Sequence, residues 1–419
     1  MYRLALRIVL PFSLGYFLSY AVRNVNAVIA PDLSADLSLT PSRLGLLTSA
    51  YFLAFAASQL PLGVLLDRYG ARRVESVLFI VAAVGCALFA IGTTLTDLVL
   101  ARAVIGVGVS GALMGAFRAY VQWFPRARLA LVNGLTMTVG GLGALAATAP
   151  VEWMLGWSDW RGVLWMMAAF GLCISFAVYF IVPSHAADEA PATETLGQQI
   201  GGIGTIFRNE HFWRIAPLAV ASQAAFLAIQ GLWAGPWFRD IAGFDRDAVA
   251  AHLLYITMAM VAGFFSLGFV ADRLARVGVG AVTVGTWCCS IALVGLGMAT
   301  LAVPVPTLVP WLLFGFFGGA GFLFYASVTG YFPEVLAGRA ITSMNVLTFA
   351  GAFAAQWGIG AIIGAWPVAA DGGYDPRGYA AGFGFFALLI AASLLWYFLS
   401  PARHHAADAA RVAKCAARH

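Results

Sequence analysis

Apolar runs of about twenty or more positions alternate along this chain with short polar or charged interruptions. Since about 20 apolar residues are needed to cross the hydrocarbon core, the runs predict twelve spans, at 8–30, 44–66, 74–95, 98–122, 129–154, 162–183, 214–238, 248–271, 279–301, 307–332, 340–364 and 378–400. Runs this long are too continuous for barrel strands, so the pattern predicts an all-α membrane protein. The first run passes into the second without an A-x-A-like site, which argues against a cleaved signal peptide.

The interruptions are not independent of one another. GVLLDRYGARR, from Gly63 to Arg73, returns 205 positions later as GFVADRLARVG, with Gly268, Asp272 and Arg273 where Gly63, Asp67 and Arg68 stood. WFPRARLALVNGLT, from Trp123, is echoed by YFPEVLAGRAITSMNVLT, from Tyr331, matching Asn133 and Thr136 to Asn345 and Thr348. The chain is therefore read as two related halves. Residues 1–183 form an N-terminal six-helix bundle, 184–213 a linker, 214–401 a C-terminal six-helix bundle and 402–419 a tail. Six spans, a linker and six related spans is the parallel-repeat plan of one transporter class, with the bundles related by a pseudo-twofold axis. Within the linker, Leu196, Ile200, Ile203 and Phe207 share one helical face, which fits either an amphipathic helix on the membrane surface or a solvated tether.

Composition agrees with the pattern: 61% of the residues are apolar and 10% charged. Charge adds the orientation. Of the 24 basic residues, Arg23, Arg102 and Arg118 fall inside spans. With the N-terminus in the cytoplasm, only Arg43, Arg161, Arg239, Arg246 and Arg377 lie outside and the other sixteen lie inside, the bias that sets topology. The net charge of +5 is thus accounted for without nucleic acid. Both termini are expected in the cytoplasm, and a bacterial inner membrane is the expected location. The five cysteines give no disulfide framework.

The G-x-x-x-D-R-x-G-x-R-R loop between the second and third spans resembles the signature loop of the major facilitator superfamily. Arg102-x-x-x-Gly106-x-Gly108-x-x-Gly111 is similar to that family's helix-four motif. The resemblance covers nearly the whole chain. It implies two six-helix bundles with a solute site between them, worked by alternating access. It also implies that Gly63, Asp67, Arg68, Arg72, Arg102, Asp272 and Arg273 serve gating, with Asp67 and Arg68 in an inter-half latch that forms when the cytoplasmic side closes. GVGVSG also spells a dinucleotide fingerprint, but no strand precedes it and no βαβ unit surrounds it. The small residues suit close helix packing instead.

Ionisable residues inside a membrane span are expensive and default to functional candidates. Arg23, in YAVRNVNAVIAP, is the leading substrate contact, because a guanidinium in a low-dielectric cavity attracts an anion and its fork matches carboxylate or phosphate. Its spacing to Pro31 resembles helix one of the organophosphate:phosphate antiporters. Helix seven here offers Gln223, Gln230 and Trp233 and no mid-span charge. The competing reading of Arg23 is structural, tying helix ends together. Arg118 either lines the inner half of the cavity or snorkels to the interface. Asn26, Gln230, Trp233, Tyr325 and Asn345 complete the candidate pocket, although Asn and Gln also join helices by hydrogen bonds. Gln230 stands out because G-L-W-A-G-P follows it and bends the helix near the midplane.

No carboxylate is expected mid-span, with Glu75 assigned to a cytoplasmic loop, and this favours an anionic or neutral solute over a cationic one. The nitrate-porter reading is set aside because spans 44–66 and 248–271 hold no interior arginine. The expectation is thus a secondary transporter of a small organic anion such as a carboxylate, a monomer in the bilayer, with a proton or counter-anion as the candidate coupling partner. It needs no cofactor or metal, binds no nucleic acid and is not an enzyme, since no nucleophile elbow, phosphate loop or metal-protease motif is present. Two alternatives stay open: an exporter of a hydrophobic drug or siderophore, suggested by 13 tryptophans and 31 phenylalanines, and a transporter-like ligand sensor.

Overall fold

A bilayer offers no partner to backbone N–H and C=O groups, so a spanning apolar run must satisfy them within itself, as a helix does. In the computed structural model, which describes residues 2–183, 196–367 and 373–400, every regular element is a helix. The tail and the first part of the linker fall outside the described residues.

The first span is α1 (Tyr2–Asn24) followed by α2 (Asn26–Leu37), bent by 44° at Val25. The second and third spans run together as α3 (Pro41–Ile91). Its 51 residues would reach about 77 Å if straight, more than twice a hydrocarbon core. The turn expected between them has shrunk to one residue, Gly70, at φ 74° and ψ 158°, a conformation that glycine adopts without a Cβ penalty. α4 (Leu95–Gly108) and α5 (Ala112–Trp123) make the fourth span, α6 (Arg126–Ala146) and α7 (Ala149–Leu155) the fifth, and α8 (Trp160–Ile181) the sixth.

After the linker helix α9 (Leu196–Phe207), the seventh span is α10 (Glu210–Ala228), a π turn at Ile229–Trp233 and α11 (Ala234–Asp240). This interruption sits where the Gln230 region predicts one. α12 (Arg246–Ala275) and α13 (Ala281–Thr300) follow. The tenth span is α14 (Leu308–Gly318), a 3₁₀ turn and α15 (Phe322–Tyr331), and α16 (Glu334–Ile363) and α17 (Pro376–Leu399) close the set. Among the described residues, ten stretches are long and apolar enough to cross a membrane and the bent pair α1 and α2 is an eleventh; counting α3 twice gives twelve. The protein is a multi-pass membrane protein of two helix bundles.

The two halves share side-chain wiring as well as pattern. Tyr120 of α5 bonds Thr136 of α6 at 2.7 Å, and Tyr325 of α15 donates to Thr348 of α16 at 3.2 Å. In each bundle the repeated threonine thus ties its helix to the preceding span. The helix-four glycines serve packing: a Cβ on Gly106 or Gly108 would collide with the backbone of Tyr51 or Ala82 on α3.

One expectation needs correction. Glu75 is not in a loop; it lies in α3, fully buried, with both carboxyl oxygens lacking a hydrogen-bond partner, because the helix resumes immediately after Gly70. The second part of the linker forms the helix α9, which packs against α16 and α3 and buries Ile206 completely.

Candidate functional site

A cavity of about 690 Å³ opens between the two bundles. Its mouth lies at the end of the molecule carrying α9, where Gly63, Asp67, Arg118, Ile203 and Arg339 line it. Its depth is reached at Arg23, next to the bend between α1 and α2.

Arg23 is half-buried and enclosed by rings. Its guanidinium carbon stands 4.9 Å from the ring centre of Tyr20, 5.5 Å from Phe349, 5.7 Å from Phe55 and 5.9 Å from Tyr51. Phe349 comes from α16, so both bundles contribute to the cage. Aromatic faces stabilise a cation but do not neutralise it. No carboxylate pairs with Arg23 among the described residues, and its Nε is buried without an acceptor. A cation held at cavity depth without a counter-ion is a place where an anion gains strongly.

The other intramembrane arginines differ from it. Arg102 is fully buried, donating from Nη1 to Val22 O at 2.9 Å and from Nη2 to Asn26 Oδ1. It satisfies the chain at the bend of the first span, where a continuous helix would use the amide of residue 26. Asn26, buried by this contact, does not line the cavity. Arg118 does line it, but forms an ion pair with Asp67 near the mouth.

Gln230, Tyr325 and Asn345 line the cavity, joined by Asn24, Gln59 and Gln223. Gln59 on α3 bridges the halves: it donates to Ser110 O at 3.3 Å and accepts from Asn345 Nδ2 of α16 at 3.3 Å. Trp233 lies elsewhere. It is completely buried beyond the blind end of the cavity, donating to Gln356 O at 2.9 Å, because the π turn rotates it away from the lining. Of the repeated loops, the first lines the mouth through Gly63 and Asp67, while Arg68 is exposed against Tyr69 and Arg72 donates to Tyr179 O at 2.8 Å. Asp272 and Arg273 of the second copy are exposed and away from the cavity.

Sequence reasoning missed the aromatic cage and Arg339. Tyr20, Phe55 and Phe349 carry no local signal, since an aromatic residue in an apolar run looks the same whether it faces lipid, core or cavity. Arg339 falls between the predicted spans 307–332 and 340–364, but α16 starts at Glu334 and carries it to the mouth.

At the end opposite α9 the bundles meet directly. Arg246 of α12 donates to both oxygens of Asp32 at 2.9 Å and to Glu152 Oε1 at 2.8 Å. Gln356 of α16 donates to Thr48 of α3 at 2.8 Å. A Cβ on Gly45 would stand 2.8 Å from Gln356 O and 3.2 Å from Trp357 Cα, so the two backbones touch there. The site is therefore a blind cavity between two bundles, sealed at one end and open at the other.

A family model described as Major Facilitator Superfamily matches residues 12–356. The chain belongs to that superfamily. Among curated relatives, a probable sulfoacetate transporter of Cupriavidus necator is 26% identical over 272 residues, covering 62% of this chain and 63% of that protein. A hexuronate transporter of Escherichia coli is 22% identical over 297 residues, covering 64% of this chain and 68% of that one. This superfamily member thus spans less than two thirds of the first of these relatives. Among solved structures, a bacterial homologue of the human lysosomal transporter Spinster, described as inward-facing and occupied, matches with a TM-score of 0.72 at 17% identity over 94% of this chain and 96% of that one. At that identity the match speaks to the fold alone.

Proposed function

We propose that this superfamily member is a secondary transporter of a small organic anion, a carboxylate in the first instance, moved by alternating access across a bacterial inner membrane. The observation that carries the proposal is Arg23: a cation at the blind end of the inter-bundle cavity, framed by both halves and without a carboxylate partner. The names of the sulfoacetate and hexuronate transporters support the same solute class. Gln230, Tyr325 and Asn345 shape the cavity wall, Arg118 and Asp67 its mouth, and residues 1–183 and 214–401 form the two moving bodies. The excess of arginine at the α9 end supports a cytoplasmic placement of that end, in which this conformation is open inward. Each chain holds a complete cavity, so a monomer suffices. A solute shifts the balance of states only by its differential affinity for them, so Arg23 must meet the anion differently when the cavity opens outward.

The test is thermal stabilisation of the detergent-purified protein by carboxylates, sulfonates and neutral solutes, run beside Arg23→Gln. A charge-assisted contact contributes about 1.5–3 kcal/mol, so the variant should lose roughly 10- to 100-fold in anion affinity. Stabilisation that survives Arg23→Gln, or that only neutral or cationic ligands produce, would favour export of a hydrophobic compound, to which the apolar walls are also suited. Solute flux in proteoliposomes separates a transporter from a sensor.

A further inference from the structure

We infer that the preferred solute is a monocarboxylate with a flat, apolar body, an aryl or arylalkyl carboxylate, and not a polyhydroxylated sugar acid. The inference rests on the anion reading of Arg23 and names the rest of the molecule that Arg23 holds.

Three observations lead to it. The first is the number of available charges. Among the described residues, Arg23 at cavity depth has no anionic or carbonyl partner, whereas Arg102 is committed to Val22 O and Asn26 and Arg118 is paired with Asp67. One free cation at depth matches one negative charge.

The second is the state of the polar lining. A sugar acid brings a hydroxyl on nearly every carbon and needs a donor or acceptor for each one it buries. Here most of the amide and hydroxyl groups of the lining already make a bond to the protein. Asn24 Nδ2 donates to Tyr20 O at 2.8 Å, Gln223 Nε2 to Gly318 O at 3.1 Å, and Tyr325 to Thr348 at 3.2 Å. Gln59 and Asn345 bond one another across the halves. A hydroxylated ring would compete with these contacts for the donors of the lining, and a site whose donors are turned toward the protein gains less from hydroxyls.

The third is the remaining surface. Beside the guanidinium, Phe55 and Phe349 pack with ring centres 4.1 Å apart, one from each bundle. The C-terminal half adds Phe226, Met260, Phe264 and Phe322 to the lining. A flat ring can lie against these faces while its carboxylate meets the edge of Arg23.

The experiment measures binding of 3-phenylpropionate and D-galacturonate, one charge each, by calorimetry to the purified full chain, its Arg23→Gln variant and a Phe349→Leu variant. Phe349→Leu keeps an apolar side chain of similar bulk, and its ligand-free melting temperature controls for folding. The expected result is phenylpropionate binding at least tenfold tighter than galacturonate, weakened several-fold by Phe349→Leu and lost in Arg23→Gln. Galacturonate binding more tightly, and depending on Arg23, would overturn the aryl inference and leave the anion reading standing. Binding of either acid undiminished in Arg23→Gln, or of neither acid to the wild type, would overturn both.

Discussion

The two ends of the cavity are closed and opened by different chemistry. At the sealed end the bundles touch through backbone: Gly45 of α3 lies against Gln356 and Trp357 of α16, and Gly360 against Pro41. Hydrogen bonds from Gln356 and Arg246 cross that contact, and Trp233 braces Gln356 from within its own bundle. At the open end Asp67 pairs with Arg118 of its own bundle. A seal made of backbone approach depends on shape and is nearly independent of salt, whereas a gate made of exposed charges is weak singly and easily reset. The difference suggests where substitutions will trap the protein and where they will only tilt it.

The largest effect is expected from filling the seal. Valine at Gly45 or Gly360 places side-chain carbons where the opposite backbone lies, and overpacking of this kind costs about 1–3 kcal/mol. Since other states of an alternating-access cycle lack that contact, the population ratio should move roughly 5- to 150-fold toward the form open at this end. Spin labels at exposed positions 157 and 247, in a background without native thiols, would report it as a longer inter-label distance. An unchanged distance distribution would show that the glycines do not govern closure. Next in size is Thr48→Val, which removes the acceptor that Gln356 of the opposite bundle donates to across the seal. A loss of about 1 kcal/mol from the hydrogen bond should shift the same ratio several-fold in the same direction.

How much of this was legible beforehand follows from what each residue's local sequence encodes. The spans, the halves and the bend at Gln230 are periodic or punctuated features, and a linear pattern carries them. Arg23 could be singled out because a charge in an apolar run is costly wherever it points. The seal could not, because Trp233 and Gln356 carry the same amphipathic signal on either side of a helix and only the rotation set by the π turn decides which side they face. Glu75 was misplaced for a related reason. The charged run around it reads as a loop, yet one glycine at positive φ completes the turn and the next helix begins at once. Among the described residues no hydrogen bond or ion pair meets the buried Glu75 carboxyl, so Glu75→Gln should preserve the melting temperature of the purified protein. A marked drop would reveal a partner for the ionised form in another state.

A smaller tilt is expected from Arg246→Ala. Arg246 bridges Asp32 and Glu152, but its side chain is 48% exposed, so screening holds the gain to about 0.5–1 kcal/mol. The sealed end should open two- to fivefold more often at low salt and hardly at all more often at high salt. A salt-independent effect would mean that Arg246 acts through packing.

The smallest effect bears most directly on the open end. If Asp67 served only its pair with Arg118, then Asp67→Asn and Arg118→Gln would remove the same interaction and shift the states equally, toward closure of the mouth. If Asp67 also belongs to a latch between the halves when the mouth is closed, Asp67→Asn loses a contact in both states and Arg118→Gln in only one. The two variants should then differ, with Asp67→Asn shifted less or in the opposite sense. Spin labels at exposed positions 73 and 276, across the mouth, measure that difference, and Asp272→Asn provides the control, since Asp272 is exposed and away from the cavity. Each term is below about 1 kcal/mol for such exposed pairs, so the comparison relies on the sign of the difference between two matched variants. Equal shifts would remove the latch and leave Asp67 as a partner of Arg118 alone.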